Sequence, residues 1–137
     1  MAKPAATRRQ EYAEQTRNAL IEAATQRMVE QGYEATSIAQ IAADVRVSKG
    51  AVYHHFPDKR SLFKAVFSEA TSRSVATVAE SMDHMRNSPP DDVVGMAIDA
   101  ALTTALKDRE YSVLRQQAAA ILSLDERKQI KADSIIP

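Results

Sequence analysis

Between residues 36 and 66 apolar and polar positions fall into two short helical runs separated by one tight break. In the first, Ile38, Ile41, Ala42 and Val45 stand at i, i+3, i+4 and i+7, the stripe of a helix with one buried face. The break is Arg46-Val47. Ser48 then has the side chain of an N-cap, with Lys49 and Gly50 just inside the start of a second helix. That helix turns Val52 and Phe56 inward, four residues apart, and Pro57-Asp58 stops it. Ala42 lies four residues before the turn, where a small side chain lets two helices cross closely. Val45 and Val47 flank the turn and plug the corner, and Val52 closes the small core from the other helix. A plain helical hairpin shares the alternation, but not this set of small and branched residues at these offsets.

The same periodicity organises the rest of the chain. A polar stretch over residues 1–9 reads as a flexible arm. A helix follows from about Arg9 to Gln31, with Leu20, Ile21, Ala24 and Met28 on one face and Gly32 as its C-terminal cap. Thr36 or Ser37 caps the next helix, and Ser37 with Gln40 has capping-box spacing. Asp58 caps a long helix from Lys59, anchored by Leu62, Phe63, Val66, Phe67 and Ala70 and continued by Val75, Val78, Met82 and Met85. Asn87-Ser88-Pro89-Pro90 marks a loop. Asp91 or Asp92 then caps a helix whose predicted buried stripe is Val94, Ile98, Ala101 and Ala105. Asp108-Arg109 opens another, with Leu114, Ala118, Ile121 and Leu122, and Ser123 with Glu126 opens a last helix reaching about Asp133.

Composition narrows this to an all-α fold. Three Gly, three Phe, four Tyr and no Trp in 137 residues argue against an all-β chain. The absence of Cys excludes disulfides and thiolate metal sites. No apolar run reaches membrane-spanning length, and MAKPAATRRQEYAEQ lacks the apolar core of a signal peptide. The reading is a cytoplasmic protein with no membrane partner. Net charge is zero, but the halves differ: residues 1–66 hold ten Lys/Arg against seven Asp/Glu (+3), and residues 67–137 hold eight against eleven (−3). Arg46, Lys49, Lys59, Arg60 and Lys64 stand close in sequence with a single acid, Asp58, among them.

A short helix with few large apolar residues, edged by bases and carrying Tyr53, His54 and His55, suits a major groove bordered by phosphates. Catalysis finds no support. No HExxH, shared-face carboxylate pair, nucleophile elbow or phosphate-cradling glycine loop is present, and no metal or cofactor is implied. Met82, Met85 and Met96 are candidates to line an effector pocket, because methionine adapts to varied ligands; the alternative is ordinary core packing.

Gly32-Tyr33, Thr36, Ile41-Ala42, Val47-Ser48-Lys49-Gly50, Tyr53-His54-His55-Phe56, Lys59 and Leu62 together resemble the signature of the tetracycline-repressor-like (TetR) family, over about residues 16–70. The resemblance implies a three-helix DNA-binding head with a helix-turn-helix, residues 10–66, followed by a helical regulatory domain, here residues 67–137 and incomplete. It implies operator DNA as partner, a small-molecule effector and a homodimer, with repression of transcription as the function. Thr36, Ser37 and Ser48 are then candidates for phosphate contacts through hydroxyls and helix N-termini. Tyr53, His55 and Lys59 are candidates for further backbone contacts. Lys49, Ala51 and His54 are candidates for the base-facing side, with Lys49 suited to guanine and Ala51 to a thymine methyl, and Gly50 belongs to the same DNA-binding set.

The family places Gly where this chain has Arg46. A left-handed turn there costs a non-Gly residue roughly 1–2 kcal/mol, so the turn is either strained or built differently, and Arg46 either meets a phosphate or is simply exposed. The family adds two long dimerising helices after the point where this sequence stops. The expectation for this length is therefore weak dimerisation or none. Two rival readings stay open: a truncated DNA-binding product without regulatory activity, and a helical small-molecule-binding protein without DNA function.

Overall fold

The computed structural model describes residues 7–87 and 89–135, with the backbone alone for Pro90 and residues 103–107. Every regular element among them is helical: α1 (Arg8–Gln31), α2 (Ile38–Val45), α3 (Lys49–His55), α4 (Lys59–Arg86), a single 3₁₀ turn (Pro90–Asp92), α5 (Val93–Lys107), α6 (Arg109–Ile121) and α7 (Leu124–Ile135). The fold is all-α, with a helix-turn-helix made by α2 and α3. The chain divides into two compact units, Met1–Val66 and Phe67–Pro137.

The first unit is built on the predicted stripes. Leu20, Ile21, Ala24 and Met28 of α1 are buried with Ile38, Ile41 and Ala42 of α2, Val52 and Phe56 at α3, and Leu62, Phe63 and Val66 of α4. Val45 and Val47 do not plug the corner; both are half-buried, because the turn between them stands at the surface. Local signals fix the helix ends. Gly32 closes α1 at φ 86°, its N–H donating to the Met28 carbonyl. Ser37 and Gln40 form the capping box of α2: Gln40 N–H donates to Ser37 Oγ at 3.2 Å and Ser37 N–H to Gln40 Oε1 at 3.1 Å. Asp58 caps α4 through a 2.7 Å bond from Ser61 N–H, which holds its carboxyl below the ordinary carboxylate range.

The helix start differs from the expected nine-residue arm. Thr7 and Gln10 make a second capping box, with bonds of 3.0 and 3.2 Å, so residues 7–9 belong to the cap and first turn of α1. Lys3 and the rest of residues 1–6 lie outside the described residues.

In the second unit Phe67, Ala70, Leu114, Ala118, Leu122 and Ile130 are buried. The Phe67 and Tyr111 rings stack, 6.0 Å apart and 9° from parallel. Asp108 does not cap α6 with its side chain; its carboxylate instead accepts from Ser74 Oγ at 3.2 Å. Ser123 accepts from Glu126 N–H at 3.1 Å as the start of α7, which extends to Ile135.

The predicted stripe of α5 is the wrong one. Val94 and Ile98 are 69% and 57% exposed, and Ala101 is exposed too. Val93, Met96 and Ala100, at i, i+3 and i+7, form the half-buried side instead. Apolar residues occupy both faces of this helix, so periodicity alone offers two registers. Ala105 of the predicted stripe has no described side chain.

Candidate nucleic-acid interface

The α2–α3 turn is closed by backbone geometry. Arg46 is left-handed at φ 63° and ψ 45°. Its N–H donates to the Ala43 carbonyl at 3.2 Å, and Val47 N–H donates to the Ala42 carbonyl at 2.9 Å. These two bonds are a Schellman motif with arginine in the usual glycine place. Replacing Arg46 by glycine is expected to stabilise the head by up to about 1 kcal/mol, read as a higher urea midpoint without DNA. A lower midpoint would show that the arginine side chain contributes more than the strain it imposes.

Ser48 opens α3, its Oγ accepting from Ala51 N–H at 3.1 Å. One turn carries both functions of this helix. Val52 is fully buried and Phe56, just past the helix end, is 4% exposed. The other side shows Lys49, Gly50 and His54 exposed, Tyr53 49% exposed, and Ala51 and His55 half-buried. A Cβ added to Gly50 would meet only Ser48 Oγ, at an ordinary 3.7 Å, so packing within the chain does not require glycine there. Ser37 is exposed at the start of α2, as Ser48 is at the start of α3.

The His54 and His55 rings lie 5.3 Å apart, edge to face. Arg17 of α1 stands over the Phe56 ring at 5.2 Å. Burial first, then the His54 and Arg17 charges, push the His55 imidazole below its ordinary value. The folded head therefore favours neutral His55, and the unfolded chain binds the extra proton first. Stability from this group is complete above about pH 6.5 and is lost as pH falls through that value toward the lowered native one. Urea midpoints across this range should fall with pH, and His55→Gln should flatten the fall; an unchanged slope in His55→Gln would remove His55 as its source.

Two predicted contacts are redirected inward. Thr36 does not offer its hydroxyl to a phosphate: the residue is 1% exposed, and Oγ1 donates to the Gly32 carbonyl at 2.8 Å while accepting from Gln31 Nε2 at 3.3 Å. Lys59 does not extend outward either. Its Nζ donates to the Tyr33 carbonyl at 3.0 Å and lies 4.2 Å from the Tyr33 ring centroid. Arg17 is the residue that sequence reasoning missed. It is an exposed residue of α1, and only the fold brings its guanidinium over Phe56.

Another face of the head is acidic. Arg27 pairs in a two-pronged bond with Asp44, at 2.6 and 2.8 Å, and draws its carboxyl below the ordinary range. Glu22 and Glu30 line the same open groove of about 600 Å³. Three carboxylates against one guanidinium leave this groove negatively charged.

In the second unit a cleft of about 140 Å³ is lined by Ala70, Arg73, Thr77, Asp108, Glu110 and Tyr111. Met82, Met85 and Met96 do not line it; Met82 is 53% exposed and the other two are half-buried. No helix among the described residues is long and apolar enough to cross a membrane.

Residues 20–66 match the family model described as bacterial regulatory proteins, tetR family. A solved Mesorhizobium loti protein, described as a TetR-family transcriptional regulator, superposes with a TM-score of 0.71 at 27% identity, covering 94% of this chain and 60% of that one. Over residues 20–66 this chain is a tetR-family protein. Among curated TetR-family relatives, the regulator CymR of Pseudomonas putida is 36% identical over 107 residues, 75% of this chain and 49% of that protein. The repressor AcnR of Corynebacterium diphtheriae is 38% identical over 64 residues, 47% of this chain and 34% of that protein. The chain thus spans between a third and a half of the length of these two family members.

Proposed function

We propose that this chain is a sequence-specific DNA-binding regulator of transcription, acting in the cytoplasm as a ligand-responsive repressor and not as an enzyme. The observation that carries the reading is the two-sided α3. Val52 and Phe56 fix the helix to the core, while Lys49, Gly50, Tyr53 and His54 stay exposed beside the open starts of α2 and α3. Residues 10–66 are the DNA-binding domain and residues 67–137 the regulatory part. Ser37, Ser48, Tyr53 and His55 contact the DNA backbone, and Arg46, exposed at the turn, adds charge nearby. Lys49, Gly50, Ala51 and His54 face the base edges. The names of the relatives, a repressor and a regulator, support the same reading. The effector is a small polar molecule held in the cleft by Arg73, Thr77, Asp108 and Tyr111.

Lys49→Ala is expected to relax base preference at one position, at a cost of about 1 kcal/mol. Equal weakening on all sequences would move Lys49 to the phosphate backbone. The direct test of the surface is amide chemical-shift mapping with duplex DNA. The largest shifts should fall in residues 37–39 and 46–55. Shifts centred on Glu22 and Glu30, or none at low salt, would contradict the proposal.

A further inference from the structure

Tyr33 and Lys59 stand just outside the two ends of the helix-turn-helix, 26 residues apart, and they touch. Lys59, the first residue of α4, folds back so that its Nζ donates to the Tyr33 carbonyl at 3.0 Å and lies over the ring at 4.2 Å. The Tyr33 ring meets the fully buried Phe63 ring edge to face, at 5.4 Å and 73°. The turn that contains Tyr33 runs directly into a hydrogen-bonded network around the start of α2. Gln31 Nε2 lies within bonding distance of the Ala35 carbonyl (3.2 Å), Thr36 Oγ1 (3.3 Å) and Gln40 Oε1 (3.0 Å). Gln40 Oε1 in turn accepts from Ser37 N–H at 3.1 Å. The Tyr33 carbonyl that Lys59 holds also accepts from Thr36 N–H at 3.2 Å, so contacts from α1, α2 and α4 converge on the residues just before α2.

We propose that Lys59 is a positioning residue for DNA binding. Its bond to the Tyr33 carbonyl clasps the two ends of the helix-turn-helix and holds Ser37, with the first turn of α2, where a phosphate meets it. This inference rests on the reading of the α2–α3 surface given above. Helices of eight and seven residues are not stable alone, so their mutual placement is imposed by what they dock on. Holding a lysine in one half-buried geometry costs rotamer freedom and solvation. The carbonyl bond and the ring face offset that cost, which makes the clasp a defined contact and not a loose surface charge.

The test is a double-mutant cycle on the full chain, using a duplex that the parent enriches from a random-sequence pool. Ser37→Ala, Lys59→Met and the double variant are titrated beside the parent. Lys59→Met keeps an unbranched stem near the ring and removes the donor. The clasp predicts that Ser37→Ala weakens the parent by about tenfold, but weakens Lys59→Met by less than about twofold. A lysine that only touches phosphate would give effects that multiply, with the salt slope of Lys59→Met smaller by about 0.9. That result overturns the clasp and leaves the DNA-binding reading standing. Multiplied effects with a lowered melting temperature mean a structural role alone and also overturn it. A parent chain that enriches no duplex overturns both. If Lys59→Met does not fold, Lys59→Gln runs the same cycle: its amide restores part of the bond, so the cost of Ser37→Ala should lie between the two values, and full multiplication again decides against the clasp.

Discussion

Phe63→Ala is expected to destabilise the head by about 3–5 kcal/mol, the largest effect of any single truncation considered for this protein. Phe63 is fully buried in α4, between the equally buried Leu62 and the Val66 one turn on. Its ring is also the surface on which Tyr33 rests edge to face. Removing it takes away transfer free energy and leaves a cavity that the helices, held by their caps, fill only in part. The loss compares with a total stability of about 5–15 kcal/mol for an ordinary domain. Hydrogen exchange at the amides of α1 to α3 measures it, because that signal belongs to the head alone. Protection reduced by less than tenfold would mean that the core around Phe63 is looser than its burial indicates.

The second large effect separates folding from binding across neighbouring residues of α3. Val52→Ala should cost roughly 2 kcal/mol of stability, since Val52 is wholly buried and closes the small core against α2. Tyr53→Ala should change stability by less than about 0.5 kcal/mol, because the residue is 49% exposed. In DNA titrations under conditions where both variants are folded the order reverses: Tyr53→Ala loses about tenfold or more through its missing backbone contact, and Val52→Ala loses little. If Tyr53→Ala melts the head, or Val52→Ala abolishes binding while folded, the two faces of α3 have been assigned the wrong way round.

The helix-turn-helix was legible because its spacing is tight. Ala42, Val52 and Phe56 are where small, branched and aromatic residues at those offsets must be, and the left-handed turn at Arg46 is the geometry that made its missing glycine notable. The capping box of Ser37 and Gln40 and the Asp58 cap were equally local. What sequence did not show was long-range or degenerate. Lys59 finds Tyr33 across 26 residues, and nothing in either neighbourhood indicates that the lysine turns back. Thr36 and Ser37 are chemically interchangeable as caps, and only the fold buries one and exposes the other. Along α5 apolar residues stand on both sides, Val93, Met96 and Ala100 on one and the predicted Val94, Ile98 and Ala101 on the other, and the larger apolar side chains are on the exposed side, so burial had to be seen to be assigned. Thr7 with Gln10 was a readable capping box, hidden by the polar, basic character of the segment around it.

The most direct test of the central claim, that α3 reads DNA sequence, is selection of bound duplexes from a random-sequence pool by the full chain. The expected result is enrichment of one motif, bound with an affinity that falls steeply with salt, and a changed or relaxed motif when the selection is repeated with Lys49→Ala. A pool that keeps its random composition through successive rounds at low salt, or one motif selected identically by the parent and by Lys49→Ala and His54→Ala, would contradict it.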